Sequence, residues 1–288
     1  MRTIPPDHLP VNADGSIFHL HLKPEQLADK VVMVGDPERV PIVASYFDSI
    51  EFDVQSREFR TITGSYCGKR ITTLSHGIGC DNIDIVLTEL DALANIDLQT
   101  REVRKDFHQL TLVRIGTSGG LQPFCPIGTY VVSEISMGMD GLIFFYDKGE
   151  QAVDKSLFHN FMEHTHWNDL LAKPYFVASD EELTSRIGFD MIKGITISAS
   201  GFYGPQGRHV RLGLSQPDMN RLIESFEYNG LKIANYEMES AALAGLAGLM
   251  GHKAMTACLV IAGRYSGEMN TDYKGSFDKL IQKVLDRI

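Results

Sequence analysis

Leu110-Thr111-Leu112-Val113-Arg114-Ile115, followed by Gly116-Thr117-Ser118-Gly119-Gly120, is the stretch on which the fold turns. An apolar, β-branched run bounded by glycines reads as a buried strand. The run after it satisfies G-x-S-x-G, the nucleophile elbow of α/β-hydrolases with Ser118 as nucleophile. An elbow must open into a helix, whereas Leu121-Gln122-Pro123-Phe124-Cys125-Pro126 comes next, and its two prolines forbid one. The glycine run is therefore expected to be a turn that offers backbone N–H groups and a hydroxyl to an anion.

Outward from this strand, helical and extended patterns alternate. Lys30 to Val34 reads as a buried strand ending at Gly35, and Val40, Val43, Ala44 and Phe47 recur at helical spacing after Pro37. Residues 58–66 and 70–76 read as a hairpin turning at Gly68-Lys69. A helix beginning near Asp81 carries Ile83, Val86, Leu87, Leu90, Leu93 and Ala94 on one face, and 97–109 is an insertion or an extension of it. Further strands are expected at 129–134, 195–199 and 254–262. Helices are expected around Phe158, Phe161 and Met162 and at 216–228, 237–250 and 275–287. No repeat or linker divides the chain, so 1–288 is expected to be one α/β domain.

Composition excludes several classes. The 27 basic and 37 acidic residues give a net charge of −10, which argues against nucleic acid or anionic lipid as a partner. An anionic ligand must then be met by a local cluster of cations. Cys67, Cys80, Cys125 and Cys258 are far apart, with no metal-ligand spacing, which fits reduced thiols. MRTIPPDHLP lacks the apolar centre of a signal peptide, and Ala241 to Gly251 falls short of the roughly 20 residues that span a membrane. A cytoplasmic protein is expected. The dinucleotide fingerprint and the P-loop both fail, since Gly77-Ile78-Gly79 has no third glycine and only three residues separate Gly64 from Gly68-Lys69-Arg70.

Three constellations suggest chemistry. Gly35-Asp36-Pro37-Glu38-Arg39 places an arginine one turn into a helix, and Arg114 stands on an otherwise apolar strand, where a guanidinium is costly unless paired. Either arginine alone is read as a buried salt bridge. Together with Thr117 and Ser56-Arg57-Glu58-Phe59-Arg60, they suggest a phosphate pocket, because guanidinium forks match phosphate oxygens. Asn235-Tyr236-Glu237-Met238-Glu239-Ser240 reads as the acidic head of a helix, with its two carboxylates facing different ways. Phe202-Tyr203-Gly204-Pro205-Gln206-Gly207-Arg208 offers a stacking surface plus an amide and a guanidinium for the edge of a planar heterocycle.

In this order, GDPxR, SREF, RIGTSG, FYxxQxR and NYEMES resemble the nucleoside phosphorylase family of the uridine phosphorylase type, and the resemblance runs from Phe18-His19-Leu20 to Arg264. It implies a three-layer α/β/α sandwich around a mixed, partly barrel-like sheet, assembled at minimum as a homodimer, or as a hexamer built from dimers. It implies that Gly35, Arg39, Arg114 and Thr117 hold phosphate, with Arg57 reaching in from the neighbouring subunit. Met238 and Glu239 would bind ribose, with the neighbour's His19 at the 5′-hydroxyl. Phe202, Gln206, Arg208 and Arg264 would bind the base, and Glu237 would be structural. Arg114, Glu239, Gln206 and Arg208 are the implied catalytic set. Some family members bind a monovalent cation through a Glu, a backbone carbonyl and a Ser. Glu58 and Ile78 fit those positions here, while Asn82 stands at the serine position, so no metal and no organic cofactor are expected. The implied reaction is reversible phosphorolysis of uridine to uracil and ribose 1-phosphate, in pyrimidine salvage. A purine phosphorylase would present a carboxylate or Asn to the base, and this loop has neither. A nucleosidase would lack the arginine cluster.

Overall fold

In the computed structural model, which describes residues 3–288, the strand begun at 111 does not stop before the glycines; it runs through them to Gly120. In chain order the elements are β1 (Lys30–Val34), α1 (Arg39–Ala44), β2 (Ser49–Ser56), β3 (Phe59–Tyr66), β4 (Lys69–Ser75), α2 (Cys80–Asn95), β5 (Ile96–Asp97), β6 (Glu102–Val103), β7 (Thr111–Gly120), β8 (Tyr130–Gly138) and α3 (Lys155–Thr165). There follow β9 (Tyr175–Ala178), α4 (Glu181–Ile187), β10 (Ile192–Ser198), α5 (Met219–Ser225), β11 (Glu227–Tyr228), β12 (Leu231–Glu237), α6 (Ser240–Met250), β13 (Lys253–Gly263), β14 (Glu268–Met269) and α7 (Lys274–Arg287).

β7 is the hinge of the sheet. Along Thr111–Ile115 it lies between β1 and β13, both parallel to it, and β1 leads outward to β4, β3 and β2. At Gly119 and Gly120 it also pairs antiparallel with Tyr236 and Asn235 of β12. That pairing closes β7, β13, β8, β10 and β12 into a five-stranded ring. Glycine is needed at the end of β7 for a different neighbour, the loop that follows: a Cβ on Gly120 would stand 2.3 Å from the Cys125 carbonyl oxygen. The glycine run is thus a bent strand joining an open sheet to a barrel, and the expected turn is corrected on that ground.

Helices cover both faces. Val31 and Met33 pack with Ile83, Val86 and Leu90 of α2 and Leu243 and Leu246 of α6. Val32 and Val34, their alternates, pack with Val40 and Val43 of α1 and Leu280, Ile281 and Val284 of α7. A third cluster seats Phe161 of α3 and Ile223 of α5 on Ile195, Ile197 and Ile233 of the barrel. The three-layer α/β/α expectation with a partly barrel-like sheet holds.

Local readings move in several places. The β3–β4 turn is at Cys67-Gly68, both with positive φ (48° and 75°), one residue before the expected pair. α2 ends at Asn95, and the charged segment opens with the small β5–β6 hairpin rather than extending the helix. Residues 216–228 hold a seven-residue helix and the start of a hairpin. The largest correction is at 231–237, a buried barrel strand: Glu237 ends β12, and the helix expected from 237 begins at Ser240.

Candidate active site

The parallel strands β1, β4, β7 and β13 end on the same edge, where open α/β sheets place ligands. A cavity of about 1010 Å³ lies there. Gly35, Arg39, Arg114, Thr117, Phe202, Gln206, Arg208, Met238, Glu239 and Arg264 all line it, so ten expected residues scattered over 230 positions converge.

At its centre is Arg114, only 4 % exposed. Its Nη1 meets Glu237 Oε2 at 2.9 Å, its Nη2 is paired with Glu239, and its Nε donates to His76 Nε2 at 3.1 Å. The buried-salt-bridge reading of this arginine therefore describes its contacts. Burial works against the charge, but Glu239 and Glu237 outweigh it and hold the guanidinium above its ordinary value. Gly116 is part of the arrangement, because a Cβ there would stand 2.7 Å from Arg114 Nη1. The two carboxylates do not face apart, as a helix would have made them. They end a strand and open the turn before α6, so both reach the same guanidinium. Glu237 also accepts from Ser198 Oγ at 2.7 Å and from the Ser240 amide at 3.0 Å, which anchors the start of α6. Glu239 Oε1 accepts from the Gly79 amide at 2.7 Å. Burial raises the Glu239 carboxyl, Arg114 opposes the rise and Glu237 adds to it.

His76 is a functional neighbour that sequence reasoning passed over. It follows the C-terminal end of β4 on the ligand edge, which was the available signal. Burial and then the Arg114 charge hold its imidazole well below the ordinary value, so it is neutral and Nε2 can accept from Arg114.

Arg39 is held differently. It opens α1 instead of standing one turn inside it. Its Nη2 donates to Tyr273 Oη at 3.0 Å, and its guanidinium carbon stands 4.6 Å from the Phe277 ring centroid. Among the described residues it has no carboxylate partner.

The loop after β10 forms a locked cluster. Arg208 lies 3.8 Å from the Phe202 ring centroid and donates to Gln206 Oε1. The Gln206 carbonyl accepts from Arg264 Nη2 at 2.6 Å and from Asn220 Nδ2 at 3.2 Å. With its side-chain oxygen engaged, Gln206 keeps its amide N–H groups for a ligand. Burial and Arg264 pull Arg208 down to about 10, so it stays cationic at neutral pH.

Arg57 and His19 do not line this cavity. They lie together elsewhere, with the Arg57 guanidinium 5.8 Å and the His19 ring 4.8 Å from the Phe18 ring centroid, and His19 Nδ1 2.7 Å from Glu89. Ser118 sits inside β7 with its Oγ buried and unpartnered, so the elbow geometry and its base are both missing. Glu58, Ile78 and Asn82 line the cavity as well, and Asn82 Nδ2 donates to the Ile78 carbonyl at 3.4 Å. Among the described residues, no helix is long and apolar enough to cross a membrane.

A sequence profile described as the phosphorylase superfamily matches residues 29–288. The chain belongs to that superfamily. A Trypanosoma brucei nucleoside phosphorylase, described as showing uridine phosphorylase activity, superposes with a TM-score of 0.88 at 30% identity, over 97% of this chain and 98% of that one. The uridine phosphorylase of Thermococcus kodakarensis is 29% identical over 265 residues, 90% of this chain and 82% of that protein. A DeoD-type purine nucleoside phosphorylase of Vibrio cholerae is 26% identical, over 94% of this chain and 95% of its own length. The phosphorylase-superfamily chain is thus similar along most of its length to enzymes acting on either class of base.

Proposed function

We propose that the protein is a uridine phosphorylase that converts uridine and phosphate to uracil and ribose 1-phosphate, as a cytoplasmic single-domain enzyme of pyrimidine salvage. The observation that carries the reading is the union, in one cavity, of Arg39 and Thr117 with the Glu239–Arg114 pair and the Phe202–Gln206–Arg208–Arg264 cluster. Gln206 and Arg208 present N–H donors, which suit the O2 and O4 edge of uracil. The similarity to uridine phosphorylases supports the same choice.

In this reading phosphate lies on Gly35, Arg39, Thr117 and Arg114, and Met238 and Glu239 hold the ribose, with Glu239 accepting from its hydroxyls. A phosphate oxygen forms the bond to C1′ while the C1′–N1 pair leaves with the base. Positioning by Arg39 and by the remaining N–H groups of Arg114, with counter-charge chiefly from Arg39, lowers that barrier. Gln206 and Arg208 stabilise the uracil anion as it forms, as an oxyanion hole does, and water then protonates it. Arg57 and His19 serve a neighbouring subunit's cavity in a homo-oligomer, which accounts for their lying together outside their own.

The deciding assay is base release from a nucleoside panel with and without phosphate. Uridine is expected to release uracil only with phosphate. Release from inosine or adenosine instead would make it a purine phosphorylase, and equal release without phosphate would make it a nucleosidase. For shared sites, mixing Arg57→Ala and Arg39→Ala chains is expected to restore activity in hybrid oligomers. No recovery despite proven subunit exchange would refute sharing.

A further inference from the structure

We propose that Tyr273, with Phe277 beneath it, is a positioning residue for anion binding that acts through Arg39. The proposal rests on the reading of the Arg39 region as the phosphate site. Arg39 is half-buried and lines the cavity, yet its contacts are an aromatic face and a phenol: Phe277 at 4.6 Å, the Tyr273 ring at 5.9 Å, and the Tyr273 hydroxyl at 3.0 Å from Nη2. Neither Tyr273 nor Phe277 lines the cavity, so any effect they have on a ligand passes through Arg39.

A carboxylate in their place would neutralise the guanidinium and compete with an anion for its N–H groups, as Glu237 and Glu239 do at Arg114. A phenol oxygen and an aromatic face orient the fork while leaving its charge and most of its donors uncommitted. Ordering a long arginine side chain beforehand removes that cost from ligand binding. The two aromatics are themselves fixed. Phe277 is buried in the α7 core, and Tyr273 precedes α7 with its backbone carbonyl accepting from the Ser276 and Phe277 amides and its ring edge-on to Phe277 at 6.5 Å. Tyr273 also ends the ten-residue segment from Arg264, in which Arg264, Glu268 and Met269 line the same cavity. The base-side and anion-side contacts are thus tethered to one piece of chain.

The test is direct binding of inorganic phosphate, measured by calorimetry on the full chain, with a double-mutant cycle. Tyr273→Phe is expected to weaken phosphate binding roughly fivefold, the scale of one hydrogen bond, and Phe277→Leu by a similar factor. The melting temperature of Tyr273→Phe should stay near that of the unmodified chain, and KM for phosphate should rise with kcat and KM for uridine unchanged. In an Arg39→Ala background, Tyr273→Phe should add nothing. Equal phosphate binding by the unmodified and Tyr273→Phe chains, or a further loss in the Arg39→Ala background, overturns the proposal and leaves the function standing. Absence of phosphate binding by the unmodified chain overturns both.

Discussion

Arg114 and Arg39 line the same cavity and come from adjacent parts of the sheet, one on β7 and the other just beyond its neighbour β1, yet they are built in opposite ways. Arg114 is buried, ion-paired to two carboxylates and hydrogen-bonded to a neutral histidine. Arg39 is half-buried and rests on aromatic side chains. The first arrangement joins β7, the end of β4, the end of β12 and the start of α6, so removing one partner leaves buried charge uncompensated. The second leaves a cation with no carboxylate partner among the described residues. On the proposed function, catalytic and structural roles overlap at Arg114 and separate at Arg39.

Substitution should expose that difference most strongly at Arg114. Arg114→Ala leaves Glu237 and Glu239 buried without their counter-charge and is expected to cost about 3–5 kcal/mol. The melting temperature should fall by several degrees and activity should disappear. Adding Glu237→Gln and Glu239→Gln should restore much of the stability and none of the turnover. By contrast, Arg39→Ala should leave the melting temperature nearly unchanged while raising KM for phosphate about 10- to 100-fold, the loss of one charge-assisted contact. Equal destabilisation by the two alanine variants in thermal unfolding would erase the distinction.

A smaller effect concerns pH. On the proposed function Glu239 accepts from the ribose hydroxyls as a carboxylate, and burial, opposed by Arg114 and aided by Glu237, lifts its carboxyl above the ordinary value of 4.5. The acid limb of kcat should therefore lie above that value. Glu237→Gln removes a negative neighbour, makes Glu239 easier to ionise and should move the limb to lower pH. A limb that stays in place or moves upward in the kcat profile would show that Glu239 is not the group responsible.

Periodicity made most of the layered framework legible. The alternation of Val31 and Met33 with Val32 and Val34, and the helical stripes of α2 and α7, follow from side chains meeting one face or the other. β2 was missed, although Ile50, Phe52 and Val54 recur every second residue, because charged and polar residues interleave them. Of the barrel, β7, β8, β10 and β13 were legible in part as apolar runs, whereas β12 was not, and the closure of the ring was expected only from the resemblance. Barrel strands are buried through pairings with partners distant in sequence, and β12 carries its polar Asn235-Tyr236-Glu237 in that interior, where a local pattern suggests a helix head.

The sequence by itself determined the α/β class, the acidic balance, and a set of arginines, carboxylates and aromatics whose order resembles one family, because residue type and spacing are local properties. Only the tertiary structure decided that Gly116 to Gly120 bends a strand instead of ending it, that Glu237 and Glu239 turn toward one guanidinium, and that Arg39 rests on Tyr273 and Phe277. Each depends on backbone segments brought together from far along the chain. What an arginine does is set by which groups compensate its charge, and those groups are chosen by packing.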